Sequence, residues 1–295
     1  SNILNFKSHF PGASEVRLEQ NYRSSSNIVQ AANALIAHNH HRADKSLWTE
    51  NEPGESISWH LEYDGESEAW WVCDQIKREG REYTYGDVAI FYRVNAQSRQ
   101  VEDILRKENI PYRIFGSLKF YDRAEIKDMV AYFRLLVNPD DDISFRRAIN
   151  LPPRGIGKKT VEMIASQASL DHTSMMSAAE QMVAGSSTKS ALKLQGFISL
   201  ITKIRELKPS LSLSELLTQI LELTAYKDYV EKKFKDQAQE KMANIHELGT
   251  ALSEYEQDSP GQGISQWLKD ISLNSETNSD EEQGLGGVSL MTLHS

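Results

Sequence analysis

The hydrophobic periodicity of this chain changes character once, and that change constrains the fold more than any other feature. Through residue 118, compact apolar runs alternate with segments of helical spacing. Val16–Glu19 predicts a short strand. Ile28, Ala31, Ala32, Leu35 and Ile36 predict a helix behind the cap-like Ser24–Asn27. Ile57–Tyr63 alternates as a strand does, and Glu66–Arg78 has helical spacing. Val88–Tyr92 predicts a buried parallel strand, Gln97–Lys107 a helix and Tyr112–Phe115 a strand. Strand–helix alternation of this kind predicts an α/β layer built on a parallel sheet.

From Lys119 onward only helical spacing appears, over Ile126–Val137, Ile143–Ile149, Thr160–Ala168, Thr188–Ile204, Leu213–Leu223 and Gln239–Tyr255. Pro139, Pro152–Pro153, Gly185, Pro209 and Pro260–Gly263 punctuate it. Asn274–Gly287 is polar and acidic and reads as a flexible linker. Val288–Leu293 is then the next apolar strand. A helical stretch bracketed by sheet-forming segments reads as an insertion. The predicted organisation is a partial α/β domain over 1–118, an inserted all-α domain over 119–287, and a strand returning to the sheet over 288–295.

Composition excludes some classes. No run of eighteen apolar residues occurs, so no membrane span is expected. The one cysteine, Cys73, rules out a disulfide framework and fits a reducing compartment. Within WWVCDQI it reads as a small buried hydrophobe. The net charge of −9 argues against a uniformly basic nucleic-acid binder. The charge is uneven, however. Lys119–Lys159 carries nine Lys and Arg against six Asp and Glu, whereas Glu276–Glu282 is an acidic run. A basic face on an acidic protein remains a workable footprint for nucleic acid.

Three segments carry residue types suited to phosphate or base chemistry. Gln20-Asn21-Tyr22-Arg23 follows a strand and opens a helix, where ligands of α/β sheets collect. Tyr22 could stack on a base and Arg23 could steady charge on a phosphoryl group. On the residues alone, a capped strand–helix turn is the stronger reading. Arg93 and Asn95 end an apolar strand, where they suit single-stranded phosphates or bases, with a solvated loop as the equal alternative. Arg99 is a weaker candidate. In Leu151–Thr160, Gly155 and Gly157 flank Ile156 in a tight turn. Their amides can approach a phosphate while Arg154, Lys158 and Lys159 add charge just ahead of Thr160. The segment is similar to the hairpin turn of helix-hairpin-helix modules. A plain Pro/Gly turn between helices is the alternative.

Other features read as structural. The acids and bases spaced three and four apart in Phe120–Asp128 predict support on a helix surface. His38, His40 and His41 lack companion ligands at metal spacing and fit a helix C-terminus, so no metal site is expected. Asp140-Asp141-Asp142 predicts a turn and helix N-cap. The aromatic-rich Trp59–Trp71 stretch reads as core. No GxxxxGK[ST] occurs, so these residues include no phosphate-cradling loop.

Five blocks in fixed order add a resemblance. LEQNYRSSSNI, FYRVNAQSR, KFYDRAEIKD, LPPRGIGKKT and VSLMTLHS together resemble the second half of the UvrD/PcrA/Rep family of superfamily 1 DNA helicases. The resemblance implies a partial RecA-like motor domain, 2A, over 1–118 and 288–295, with an inserted helical domain, 2B, over 119–287. It implies that Tyr22 lies near adenine and that Arg23 reaches the γ-phosphate. It implies single-stranded DNA contacts at Arg93 and Asn95, a DNA-backbone contact at His294, and a turn of Arg154, Gly155, Ile156, Gly157, Lys158, Lys159 and Thr160 facing duplex DNA. The implied parent is an ATP-dependent 3′–5′ DNA helicase or translocase of replication or repair, using ATP and Mg. This piece is expected to lack ATPase activity by itself and to hold no tightly bound cofactor. The implied partners are single-stranded and duplex DNA, an N-terminal motor domain, and repair or replication proteins, in the bacterial cytoplasm at the nucleoid. A non-enzymatic DNA-binding or protein-interaction module, and the helicase part of a helicase–nuclease, are the alternatives.

Overall fold

The computed structural model describes residues 9–10, 12–14, 16–39, 45–79, 83–184, 186, 188–276 and 286–293. His40, His41, Gly185, His294 and most of the expected linker lie outside the described residues. The chain forms two compact units, Ser1–Glu62 and Tyr63–Ser295.

In the first unit, helix α1 (Ser26–Ala37) forms as the apolar spacing predicts. The two expected strands do not. Val16–Glu19 reaches only an isolated parallel bridge, Gln20 to Trp48, and residues 56–62 have no ladder partner among the described residues. Ile57, Trp59 and Leu61 are exposed, Trp59 by 85%. The reading of Trp59–Trp71 as core therefore fails for its aromatics: Tyr63 and Trp70 are exposed too and Trp71 is half-buried, while Ala69 alone of the stretch is fully buried. An alternating segment without a partner strand has nothing to bury its apolar side against.

The second unit begins with α2 (Gly65–Glu79), β1 (Ala89–Tyr92), α3 (Ser98–Lys107) and β2 (Tyr112–Phe115). The last strand, β3 (Val288–Thr292), lies between β1 and β2 and runs parallel to both. The sheet is thus small and parallel, in the order β1-β3-β2. The central strand is the buried one, with Val288 and Leu290 fully buried. Phe91 shares the opposite face with Met291 and Phe115, which the described residues leave uncovered, so Phe91 is exposed although its apolar run suggests a buried strand. Ala69, Cys73 and Ile76 of α2, with Ile104 and Leu105 of α3, pack on this sheet. Burial pushes the Cys73 thiol up to about 11, which fits an inert core residue.

The remaining helices share a second core. They are α4 (Ala124–Val137), α5 (Asp142–Ala148), α6 (Lys158–Leu170), α7 (Met175–Val183), α8 (Lys189–Leu207), α9 (Leu213–Thr224), α10 (Tyr226–Phe234), α11 (Ala238–Asp258) and α12 (Ile264–Glu276). Asp141 caps α5 by accepting the Ser144 amide, as the Asp140-Asp141-Asp142 run predicts. α9 opens with a reciprocal Ser212–Glu215 box. α7, α10 and α12 lie outside the segments in which the sequence reading expects a helix. Among the described residues no helix is long and apolar enough to cross a membrane.

Phe197 of α8 is fully buried and meets Phe145 edge to face, with ring centroids 5.5 Å apart. Phe197→Ala is expected to lower unfolding free energy by about 3–5 kcal/mol through lost burial and the cavity left behind. Urea denaturation followed by circular dichroism measures it. A loss below about 1 kcal/mol would place Phe197 outside the core.

Candidate nucleic-acid interface

The Gln20–Arg23 segment is held from both sides. Asn21 N donates to Trp48 O, and Trp48 N donates to Glu19 O. The Asn21 carboxamide oxygen accepts the Arg23 and Ser24 amides at 3.0 and 2.8 Å. Asn51 Nδ2 braces the Ser24 carbonyl at 3.1 Å. The turn therefore presents Tyr22 and Arg23 outward. Tyr22 is 78% exposed, with its hydroxyl donating to Gln20 Oε1. The first amides of α1 are not a phosphate cradle, because Ser26 N and Asn27 N donate to Glu52 O and Pro53 O. An aromatic face and a guanidinium fit one flank of a nucleotide. No backbone cradle for its phosphates accompanies them among the described residues.

In the second unit, Arg93 follows β1 at the carboxyl edge of the sheet, beside the end of β3. Its amide and that of Val94 donate to Gln97 Oε1, which fixes the loop. The Arg93 side chain is exposed. Asn95 differs. Its Nδ2 donates to Glu240 Oε1 of α11, and its Oδ1 is buried without a partner. Asn95 thus ties its loop to the first turn of α11, with Oδ1 shut off from solvent and the Nδ2 bond near the surface.

A buried polar seam continues from that link. Arg99 is 3% exposed and binds Asp103, Glu247 and Glu254 at 3.0, 2.6 and 2.8 Å. Those carboxylates outweigh burial and raise its pKa. Arg123 donates to the Ser98 hydroxyl at 2.7 Å, Asn244 Oδ1 at 2.9 Å and Leu118 O at 3.3 Å. Glu102 accepts from Ser98 at 2.6 Å and from Phe120 N at 3.1 Å. Burial pushes the Glu102 carboxyl up and pulls Arg123 down. Asp128 accepts from Arg147 and from the buried Tyr226 hydroxyl. The expected helix-surface support by pairs three and four apart over Phe120–Asp128 does not form among the described residues; at the surface Asp122, in the turn before α4, pairs instead with Lys127 five residues on. Arg123, Glu125 and Asp128 point inward, where unpaired charge would be costly. Sequence spacing could not distinguish these cases, since Arg123 reaches Ser98 and Asn244, Glu125 reaches Lys241 and Asn244, and Asp128 reaches Arg147 and Tyr226, all at least nineteen residues away.

The Leu151–Thr160 turn is built around two side chains. Asn150 Oδ1 accepts the Ile156 amide at 3.2 Å, and Asn150 Nδ2 donates to Ile156 O at 2.6 Å. Ile156 is buried in the helical core. Arg154 points inward. Its guanidinium donates to Ala148 O at 2.8 Å, Ile149 O at 3.1 Å, Pro152 O at 3.3 Å and the Tyr132 hydroxyl at 2.8 Å. It also lies 5.2 Å from the Phe197 ring centroid. The expected outward charge of Arg154 is thus spent on scaffolding. Gly155 adopts φ +68°, which favours glycine. Gly157 caps α6 with no side chain, so its first amides carry no side-chain cap. Thr160 is half-buried, its amide returning to Gly157 O. Lys158 and Lys159 are exposed, Lys158 facing Glu162 at 3.7 Å. Sequence reading missed Lys193, which α8 brings to within 2.9 Å of Gly155 O. It missed Asn150 as well, although a polar residue just before a Pro/Gly turn is a usable signal.

Burial pushes the Glu125 carboxyl up, but hydrogen bonds from Lys241 and Asn244 outweigh it and hold its pKa below 4.5. Its stabilising effect is therefore present above pH 4.5 and lost as pH falls through the lower folded value. Glu125→Gln is expected to cost about 1.5–3 kcal/mol at pH 7. Urea midpoints of the two proteins should converge below pH 4.5, and a constant gap would refute the assignment.

A model of the UvrD-like helicase C-terminal domain family matches residues 16–295. The chain is 39% identical over 302 residues to a Bacillus subtilis protein named ATP-dependent DNA helicase PcrA, covering 100% of the chain and 41% of that protein. It is 38% identical over 300 residues to the protein of that name from Staphylococcus epidermidis, covering 100% of the chain and 41% of the relative. The same name from Staphylococcus aureus matches at 37% over 300 residues, with 100% and 40% covered. The chain thus spans about two fifths of the length of these relatives.

Proposed function

The chain belongs to the UvrD-like helicase C-terminal domain family, and we propose that it is the second motor domain, with its helical insert, of an ATP-dependent DNA helicase. In this reading residues 1–118 and 288–295 form the partial RecA-like domain and 119–287 the insert. The parent moves 3′ to 5′ on one strand and unwinds duplex DNA in replication or repair, in the bacterial cytoplasm at the nucleoid. Its partners are single-stranded and duplex DNA, an N-terminal motor domain, and replication or repair proteins. The family match along residues 16–295 supports the motor. The observation that carries the DNA reading is the outward face of the Gly155–Gly157 turn, with two exposed lysines beside a helix start that lacks a side-chain cap.

ATP and Mg belong to the complete motor, where they supply the phosphoryl-transfer chemistry. Tyr22 would cover one face of the nucleotide, and Arg23 would neutralise charge at its terminal phosphate. Without a phosphate-binding loop among its residues, the chain is proposed not to turn over ATP alone. Arg93 would contact the single strand at the carboxyl edge of the sheet, Asn95 would position that loop through Glu240, and His294 would touch the DNA backbone.

In the complete motor, Arg23→Ala is expected to cut DNA-stimulated turnover by roughly 10³–10⁵ while weakening ATP binding far less. Arg23→Lys should not restore it, since Lys lacks the planar fork. Steady-state ATPase assays and nucleotide titration measure both, and a rate within a few-fold of wild type would leave Arg23 as part of a structural turn.

The chain itself is expected to bind duplex DNA weakly and without sequence preference, by phosphate contacts. Replacing Lys158 and Lys159 with Ala should lower affinity alike for all sequences and flatten the log–log salt dependence by about two units. Titration of a labelled hairpin duplex at several salt concentrations tests this. Superimposable curves would return the turn to a purely structural role.

A further inference from the structure

We propose that Lys193 is a phosphate-gripping cation of this duplex-facing surface, taking the role that the turn's own sequence suggests for Arg154. The proposal rests on the reading that the Gly155–Gly157 turn faces duplex DNA. Arg154 has four internal acceptors and an aromatic ring against it, so its fork is directed into the protein. A charge held in that way builds the turn and adds little to its outer face.

Lys193 is the opposite case. Its stem is half-buried along α8, and its ammonium sits at the turn, donating to Gly155 O at 2.9 Å. An ammonium has three donors, so two remain after this bond. Among the described residues Lys193 enters no ion pair that would neutralise it. A Cβ at Gly155 would lie 2.6 Å from Lys193 Nζ. Glycine at 155 permits φ +68°, and the close approach records how near the ammonium lies to the turn. The surface then combines Lys158 and Lys159 from the start of α6 with Lys193 from α8. Two helices, rather than one hairpin, would grip the backbone. Such contacts fix position without reading sequence, because phosphates are the same along any duplex.

Lys193→Gln removes the charge and keeps a donor on a stem one atom shorter, and the thermal midpoint reports whether the bond to Gly155 O matters to the fold. With the 295-residue chain and a labelled hairpin duplex, this variant is expected to flatten the log–log salt dependence by about one unit. Affinity should fall equally for unrelated sequences, and the thermal midpoint should stay unchanged. A salt slope equal to wild type overturns the proposal. If Lys193→Gln lowers the thermal midpoint, Lys193→Arg decides: a wild-type slope supports a charge contact, and a flattened slope overturns it. If the Lys158 and Lys159 substitutions alter the slope while Lys193→Gln does not, only this inference falls. If neither alters it, the duplex reading falls as well.

Discussion

A buried guanidinium, Arg123, stands where the sheet core and the helical core meet, and the architecture of the larger unit depends on its being satisfied. Its donors reach the Ser98 hydroxyl on α3, the Leu118 carbonyl before the helical stretch, and Asn244 on α11. Removing a cation from water is costly unless paired and hydrogen-bonded. The structure meets that requirement by bringing α3, the backbone at Leu118 and α11 together around one guanidinium. Arg99, three residues from Glu102 on the same helix, repeats the requirement with Glu247 and Glu254. A seam of this type contributes geometry more than net stability, since desolvation offsets most of the attraction. The stability comes from the two hydrophobic cores on either side.

The same division of labour appears at the glycine turn. Asn150 and Arg154 satisfy the carbonyls and amides that a tight turn would otherwise strand. That internal support leaves the outer face to Gly157, Lys158 and Lys159. Two neighbouring cations in sequence, Arg154 and Lys158, thereby serve opposite ends. The planar fork of arginine suits several carbonyls at once, and the flexible ammonium of lysine suits a solvated surface.

The sheet illustrates how far periodicity reaches. Val88–Tyr92, Tyr112–Phe115 and the run from Val288 read as strands and are strands, because each finds a parallel neighbour. Val16–Glu19 and Ile57–Tyr63 carry the same pattern and are not, because no partner ladder meets them among the described residues. Alternation records which side of a segment can be buried. It does not supply the second backbone that a ladder needs.

By itself the sequence determined the change from strand–helix alternation to continuous helix, the return of a strand after it, the cap at Asp141 and the glycine turn before α6. These are local, because propensity, capping and periodicity act over a few residues. The five ordered blocks determined the family as well, in agreement with the match over residues 16–295. Only the tertiary structure decided that Val288–Thr292 is the central strand, that Arg99, Arg123 and Asn95 bind partners more than a hundred residues away, and that Arg154 turns in while Lys193 arrives at Gly155. Whether a charged side chain is a strut or a surface contact depends on which acceptors packing brings to it, and no spacing along the chain encodes that distance.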